Sequence, residues 1–115
     1  MARTTVKDRI EHTLRSIPII EAYWAGKSYV DFSDPKNEPF RAATERHLLI
    51  IAEAIKHLPD DDKATAPEIP WRDVVGIGNI LRHGYDIIDE RRIWDVVQND
   101  LAPLTAALRT IRLRY

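Results

Sequence analysis

The chain has no cysteine and only four glycines among its 115 residues. The absence of cysteine excludes disulfides, thiolate nucleophiles and cysteine-based zinc sites, and it fits a cytoplasmic protein. The small number of glycines and the seven prolines argue against a disordered chain. No apolar run approaches the roughly 18 residues that a membrane-spanning helix needs, and the charged opening MARTTVKDRIEH is not a secretory signal. We therefore expect a cytoplasmic protein that contacts no membrane.

The charges are almost balanced, with 17 basic and 18 acidic residues and a net charge of −1. The whole molecule therefore has no positive field to attract nucleic acid, and an RNA-binding protein of this composition needs a local basic patch. The length suits one domain, residues 1–115, with a modest hydrophobic core.

Apolar residues recur every three or four positions along most of the chain, which predicts an all-α protein. The first helix is predicted to start at Thr5, where TVKD resembles a capping box, and to stop near Gly26. Pro18 falls inside this helix and predicts a kink. Residues 27–36 are predicted to form a loop or a short turn.

Three further helices complete the prediction. The second starts between Asp34 and Pro39 and ends at Leu58, the third runs from Trp71 to His83, and the last follows its N-cap residue Asp89 and bends at Pro103. The connector over residues 59–70 is expected to hold at most one helical turn. The expected product is an all-α, up-and-down bundle of four main helices.

The second helix is apolar on more than one side. Its main stripe consists of Thr44, Leu48, Ile51, Ile55 and Leu58. Leu49 and Ile50 lie off this stripe, on opposite flanks. Such a helix is expected to be buried on a second side as well, which in a small domain predicts a second contact surface, such as a dimer partner.

The stretch GNILRHGY, residues 78–85, places several polar side chains at the end of the third helix. Asn79 and His83 are four residues apart and therefore lie on one helix face. His83 is at the helix C-terminus, where its charge can change near neutral pH. It could take a proton from a ribose 2′-hydroxyl, while the amide of Asn79 and the phenol of Tyr85 hold the phosphate.

This chemistry needs neither a metal nor a cofactor, and we expect neither. The four histidines lack the i,i+4 pairing and the cysteine partners of a zinc site: they are His12, His47, His57 and His83. His83 also has a simpler interpretation, because a histidine near a helix C-terminus commonly does no more than stabilise the helix dipole. Spacing alone favours this simpler interpretation.

Two blocks of the sequence resemble the HepT-type toxins of the HEPN superfamily. They are IPWRDVVGIGNILRHGYDIIDERRIWDVVQNDLAPL, residues 69–104, and ATERHLLIIAEAIKHLP, residues 43–59. The resemblance implies a bundle of four to five helices that dimerises, with the two motif histidines facing a shared cleft. It also implies a metal-independent RNA endonuclease. A small nucleotidyltransferase antitoxin would silence that enzyme by transferring AMP onto the motif tyrosine.

The motif of this family is Arg, four residues, His, one residue and Tyr, commonly with Asn after the Arg. Its histidine corresponds to His83, its tyrosine to Tyr85 and its asparagine to Asn79. The arginine position, however, is Gly78. The family arginine is expected to hold the scissile phosphate through a bidentate guanidinium, and glycine offers no such group.

Three interpretations of Gly78 remain open. In the first, the chain is a folded but weak nuclease whose arginine was lost, naturally or by engineering. In the second, Arg82 compensates, because it lies one turn later on the same face and could place its guanidinium near the space that Gly78 leaves open. In the third, the site does not cleave and the fold serves as a binding partner.

Other residues near the motif have both a functional and a structural interpretation. Glu45 and Glu53 could line a cleft or orient His83, although a solvated face with local ion pairs is the more common situation. Trp71 and Trp94 could stack a base, although a small bundle usually places tryptophan in its core. Arginines of the last helix and tail could guide RNA or simply be solvated: they are Arg91, Arg92, Arg109, Arg112 and Arg114.

The leading interpretation is therefore a cytoplasmic, dimeric endoribonuclease toxin that acts with an antitoxin. In it His83 is the general base, Asn79 and Arg82 position the phosphate of the RNA, and Tyr85 supports the site and accepts AMP. The alternative is a non-catalytic HEPN subunit that binds a substrate or a partner for a nucleotidyltransferase.

Overall fold

The computed structural model describes residues 5–84 and 88–115, which form seven α-helices and one short 3-10 helix. The α-helices are α1 (Val6–Trp24), α2 (Tyr29–Ser33), α3 (Glu38–Lys56), α4 (Asp60–Ala64), α5 (Trp71–His83), α6 (Glu90–Asn99) and α7 (Leu101–Arg112). The all-α prediction is confirmed. The helices outnumber the four to five expected, because short helices occupy two connections and the last helix is split. Among the described helices, none is long and apolar enough to cross a membrane.

The predicted caps of α1 are present. The backbone N–H of Thr5 donates to the Asp8 carboxylate at 3.0 Å, and the N–H of Asp8 donates to the Thr5 hydroxyl at 3.1 Å. This reciprocal pair is a capping box, and it fixes the start of the helix. Gly26 follows the C-cap with φ 71, a left-handed conformation that glycine adopts without a steric penalty. Pro18 lies inside the helix.

The prediction of a loop or short turn over residues 27–36 missed α2. Its start is fixed by Asp31, whose carboxylate accepts the backbone N–H of Ser28 at 2.9 Å. The helix is held in place by Phe32, which is buried with its ring centroid 4.7 Å from that of Trp24 and 5.3 Å from that of Trp94. Burial of this one aromatic ring explains why a five-residue segment that is short for an isolated helix is helical here.

Buried Arg41 fastens α2 to α3. Its guanidinium donates to the carbonyl oxygens of Phe32 at 2.6 Å and Asp34 at 2.7 Å, and it lies 3.6 Å from the Glu90 carboxylate. Carbonyl oxygens at the end of a helix lack hydrogen-bond donors within the helix, and the Arg41 guanidinium supplies a donor to two of these oxygens. The contact with Glu90 also links the start of α3 to the start of α6.

α3 is the central helix, packed against α1 on one side and α5 on the other. All five residues of its predicted stripe are buried: Thr44, Leu48, Ile51, Ile55 and Leu58. Thr44 also accepts a hydrogen bond from the indole of Trp24 at 2.8 Å. The helix starts within the predicted window and ends at Lys56, two residues before the predicted end.

The predicted last helix is two helices, which corrects the expected bend at Pro103. α6 ends at Asn99 and α7 begins at Leu101, so Pro103 lies in the first turn of α7. A proline ring clashes with the carbonyl of the residue four positions earlier, and here that residue is Asn99. The apolar stripe continues across the break, with Ile93, Val97, Leu101, Leu104, Leu108 and Ile111 all buried. The predicted N-cap, Asp89, accepts the N–H of Arg91 at 2.9 Å.

Three of the five arginines considered as an RNA-guiding patch have partners within the fold. Arg91 lies 3.5 Å from Asp95 and over the ring of Tyr29, and Arg112 donates to Glu11 at 2.9 Å. Arg114 lies 2.8 Å from Asp62, a carboxylate buried to 2 % exposure that also accepts the Tyr115 hydroxyl. These arginines are tied to carboxylates of the protein itself, which weakens their role as a patch for RNA.

Candidate functional site

α5 presents the end of the motif to solvent. Buried Val74 and Ile77 hold one face of the helix against the core. The helix ends at His83, and the backbone N–H of the C-cap residue Gly84 donates to the carbonyl of Ile80 at 2.8 Å. Asn79 and His83 are both exposed, one turn apart, as their spacing predicts. Tyr85, the third motif residue, lies outside the described residues.

Gly78 does not face the same surface as His83. It is buried, and a Cβ atom built on it would lie 2.5 Å from the Cβ of Ala52 in α3. Cβ atoms do not approach one another this closely, so α3 and α5 can pack at this distance only because position 78 has no side chain. The expectation that Gly78 leaves open space is therefore wrong, since Ala52 fills it.

Arg82 has its guanidinium on the α3 side of α5. It donates to the Glu53 carboxylate at 2.8 Å, and the same carboxylate lies 3.2 Å from the His57 ring. The hydrogen bond from His57, and after it the positive charge of Arg82, lower the pKa of Glu53. Glu53 thus holds Arg82 rather than His83. The arrangement leaves a guanidinium one residue from His83, at the edge of the α3–α5 contact.

Glu45 lies in a different environment from Glu53. It is half-buried, and its neighbouring charges are Glu90, Arg41 and Glu38. Burial first, and repulsion from Glu90 second, raise the pKa of its carboxyl. The structure does not bring Glu45 and Glu53 to one cleft.

The raised pKa of Glu45 gives a prediction about stability. A carboxyl whose folded-state pKa is raised favours the folded state most below its ordinary pKa of 4.5, and that contribution is lost as pH rises through the folded value. Glu45→Gln should therefore raise the melting temperature at pH 7, with the gain vanishing as pH falls below the ordinary value. Glu21→Gln, at an exposed position of α1, is the matched control because it removes one negative charge without removing a buried carboxyl. An equal gain at all pH values would contradict this assignment.

The two tryptophans near the motif have structural roles. Trp94 is 7 % exposed, and its ring lies 6.0 Å from that of Trp24, in the core. Trp71 is half-buried, and its indole N–H donates to the carbonyls of Lys63 and Ala66 at 3.0 Å. These two hydrogen bonds fasten the connector between α4 and α5, so Trp71 sets the position at which α5 begins.

Sequence patterns gave no signal for the surroundings of Arg82. A groove of about 460 Å³ has α3 as its floor, and Arg9 and His12 of α1 line it opposite Arg82. Arg46 and Lys56 of α3 line it as well. These residues are far apart in the chain and are not part of the motif, so only the packing of α1 and α5 against α3 brings them together. In the described part of the chain, no group of three or more His, Cys, Asp or Glu could hold a metal ion.

Comparison with known proteins identifies the family. The family model "Ribonuclease HepT-like" matches residues 13–111, which is most of the chain. The chain belongs to the ribonuclease HepT-like family. This HepT-like chain is 35% identical over 106 residues to a protein of Thermococcus cleftensis named "Probable ribonuclease HepT", covering 92% of this chain and 94% of that protein.

Other relatives have similar names. One protein of Methanocaldococcus jannaschii, named a "Putative RNase", is 32% identical over 88% of this chain and 91% of its own length. Another of that name, from Caldanaerobacter subterraneus subsp. tengcongensis, is 28% identical over 93% of this chain and 94% of its own length. No solved structure matches the HepT-like chain.

Proposed function

We propose that this HepT-like chain is a metal-independent RNA endonuclease that works as a homodimer and serves as the toxin of a toxin–antitoxin pair. The observation that carries the proposal is the exposed pair of Asn79 and His83 on one face of α5. The guanidinium of Arg82, the residue before His83, lies beside them. The names of the relatives, which describe ribonucleases, support the same activity.

The chemistry follows from these three side chains. The imidazole of His83 accepts the proton of a ribose 2′-hydroxyl, and the resulting oxygen attacks the adjacent phosphorus. A bond forms between O2′ and phosphorus while the bond from phosphorus to O5′ breaks. The leaving O5′ takes a proton from water. Asn79 and Arg82 donate to the phosphate oxygens, where negative charge develops. The products are a 2′,3′-cyclic phosphate and a free 5′-hydroxyl.

Arg82 is the residue that we assign to bind the scissile phosphate, the function expected of the arginine in the family motif. A guanidinium binds a phosphate through two parallel hydrogen bonds, and Arg82 already makes a hydrogen bond of 2.8 Å to a carboxylate, Glu53. Glu53 also interacts with His57 at 3.2 Å, so it keeps a partner when Arg82 turns to the phosphate. Compensation by Arg82 does not require space at Gly78.

Regulation is proposed to act through Tyr85, the motif tyrosine that follows His83 by two residues. A nucleotidyltransferase antitoxin would transfer AMP from ATP to the phenol oxygen, releasing pyrophosphate. A bulky, charged nucleotide two residues from the general base would block access of RNA to His83.

The purified chain should cleave RNA in the presence of EDTA and leave 2′,3′-cyclic phosphate ends, which mass spectrometry of the products detects. Its expression alone should stop growth, and co-expression with a nucleotidyltransferase antitoxin should restore growth and add AMP to Tyr85. Harmless expression alone, together with intact RNA, would instead identify a non-catalytic HEPN subunit. Cleavage that stops in EDTA would contradict the metal-independent mechanism.

A further inference from the structure

Two grooves lie one after the other along the same flank of the motif helix, because Val75, Asn79 and Arg82 share one face of α5. The α3 groove is the cavity described above, between α1, α3 and α5, and it contains Arg82. The α5 groove, about 340 Å³, is lined by residues of α3, α4 and α5 and contains Asn79. Lys56 lines both grooves. Asn79 and Arg82, the two residues assigned to the phosphate, therefore line two neighbouring cavities that share one lysine.

The charge of these grooves differs from that of the whole chain. Six basic side chains line them: Arg9, Arg46, Lys56, Lys63, Arg72 and Arg82. The acids that line them are Glu53, which Arg82 and His57 already engage, and Asp60. The chain as a whole carries a net charge of −1. The rest of the surface is therefore acidic on balance, and the excess of positive charge is concentrated beside the motif, where a polyanion would be drawn.

The grooves also offer surfaces that suit bases rather than phosphate alone. The half-buried Leu49 and Ile50 form an apolar floor in the α3 groove. In the α5 groove, Trp71 and Val75 contribute apolar surface beside Arg72. Basic rims around apolar or aromatic floors are the pattern of single-stranded nucleic-acid binding. Both cavities fall within the size range of small-ligand pockets.

We propose that a single RNA strand runs along this flank of α5 past Arg82 and Asn79, with one flanking nucleotide in the α3 groove and the other in the α5 groove. Lys56 holds a backbone phosphate where the two grooves meet. This proposal rests on the proposed function, because it places the scissile phosphate beside His83. It assigns to Arg46 the binding of a phosphate in the α3 groove and to Arg72 the binding of a phosphate in the α5 groove.

A second copy of the chain is the competing occupant of the α3 groove, because Leu49 and Ile50 are the residues that predict a further contact surface. In a two-fold interface the same patch lies on both subunits. Two copies of this groove near the axis would set Arg9, Arg46 and Arg82 against their own equivalents, and like charges in contact are unfavourable. The charge therefore favours a polyanion over a second copy.

The test measures binding separately from cleavage. The probe is a fluorescent 2′-O-methyl oligouridine of about ten nucleotides, which matches the usual site size and cannot be cleaved because it lacks the 2′-hydroxyl. Arg46→Gln and Arg72→Gln should each weaken binding about 5-fold, and the double variant about 25-fold, since the sites are independent. Each substitution should also reduce the slope of log Kd against log salt by about 0.7, because one phosphate contact is lost. Arg109→Gln, at an exposed position of α7 away from both grooves, should bind like the parent.

Four outcomes overturn the proposal. Equal weakening of RNA binding by Arg109→Gln would show that positive charge spread over the surface attracts RNA, rather than a defined path of RNA (the track) through the two grooves. An effect of Arg46→Gln but not Arg72→Gln would restrict RNA to the α3 groove. A change in oligomeric state of Arg46→Gln, with RNA binding unchanged, would show that a second copy covers the α3 groove.

If the parent binds the probe through both grooves yet cleaves no RNA, the track stands and the proposed nuclease function fails. If cleavage persists with unchanged KM in both variants, the function stands and the track fails.

Discussion

Replacement of His83 by alanine is expected to lower the rate of RNA cleavage by about 10²- to 10⁴-fold while leaving the fold intact. The side chain is exposed at the last residue of α5, so its removal creates no cavity. The measurement is kcat on an RNA substrate, with thermal unfolding of the same sample as the check on folding.

The simpler interpretation, in which His83 only stabilises the helix end, predicts a different pair of results. A positive charge at a helix C-terminus contributes about 0.3–1 kcal/mol, so alanine would lower stability slightly and leave cleavage unchanged. His83→Lys separates the two interpretations, because lysine supplies a positive charge at the helix end but, being protonated near neutral pH, cannot accept a proton. We expect the lysine variant to be as stable as the parent and as inactive as the alanine variant. Full activity in either variant would falsify the assignment of His83 as the general base.

Gly78→Arg is expected to destabilise the protein by about 1–3 kcal/mol or more, the usual cost of overpacking a well-packed contact, rather than to restore the family motif. Its Cβ alone would meet Ala52 at 2.5 Å, and the rest of the arginine side chain needs further room beside that contact. Even Gly78→Ala should fail to stabilise the helix, although alanine is favoured over glycine by about 1 kcal/mol in a helix interior. Denaturant unfolding of the purified variants measures both effects.

The same helix contains a matched control. A Cβ added at Gly76, two residues earlier, would meet nothing within 4 Å, so Gly76→Ala should raise stability by about 0.5–1 kcal/mol. Ala52→Gly combined with Gly78→Ala should recover most of the stability lost by Gly78→Ala alone, because the contact is then restored with the roles reversed. Equal gains from alanine at positions 76 and 78 would show that α3 and α5 do not pack as described.

This expectation changes how the missing arginine has to be tested. An inactive Gly78→Arg variant would be uninformative, since loss of folding and loss of catalysis look alike. Arg82→Gln is the sharper experiment, because Arg82 is exposed and its loss should not disturb the core. If Arg82 binds the scissile phosphate, kcat should fall about 10²-fold, a typical effect of removing one donor to the developing charge.

The sequence predicted the parts of this fold that depend on local signals. The capping residues Thr5 and Asp89 marked the starts of α1 and α6, and the apolar stripe of α3 marked its buried face. The helix α2 was missed because Phe32, rather than the local propensity of its five residues, stabilises it. The division before Pro103 was placed too late because the steric effect of proline acts on the carbonyl four residues earlier.

The residues of the candidate site also fall into two groups, those that local spacing predicts and those that only the packing of helices brings together. Asn79 and His83 were found because they belong to one helix, where spacing determines the face. The pairing of Arg82 with Glu53, and the cations of α1 and α3 near it, depend on how three helices pack. The contact of Gly78 with Ala52 depends on the distance between two helix axes, which no local pattern reports.

That contact also limits the evolution of the site. With alanine at position 52 and the helices at their present distance, an arginine codon at position 78 would be removed by selection for folding before its catalytic benefit could appear. A return to the family motif therefore requires an earlier change in the packing of α3 against α5. A single substitution at position 78 therefore cannot place a guanidinium there without cost to the fold, whereas substitutions around Arg82 are free of this constraint.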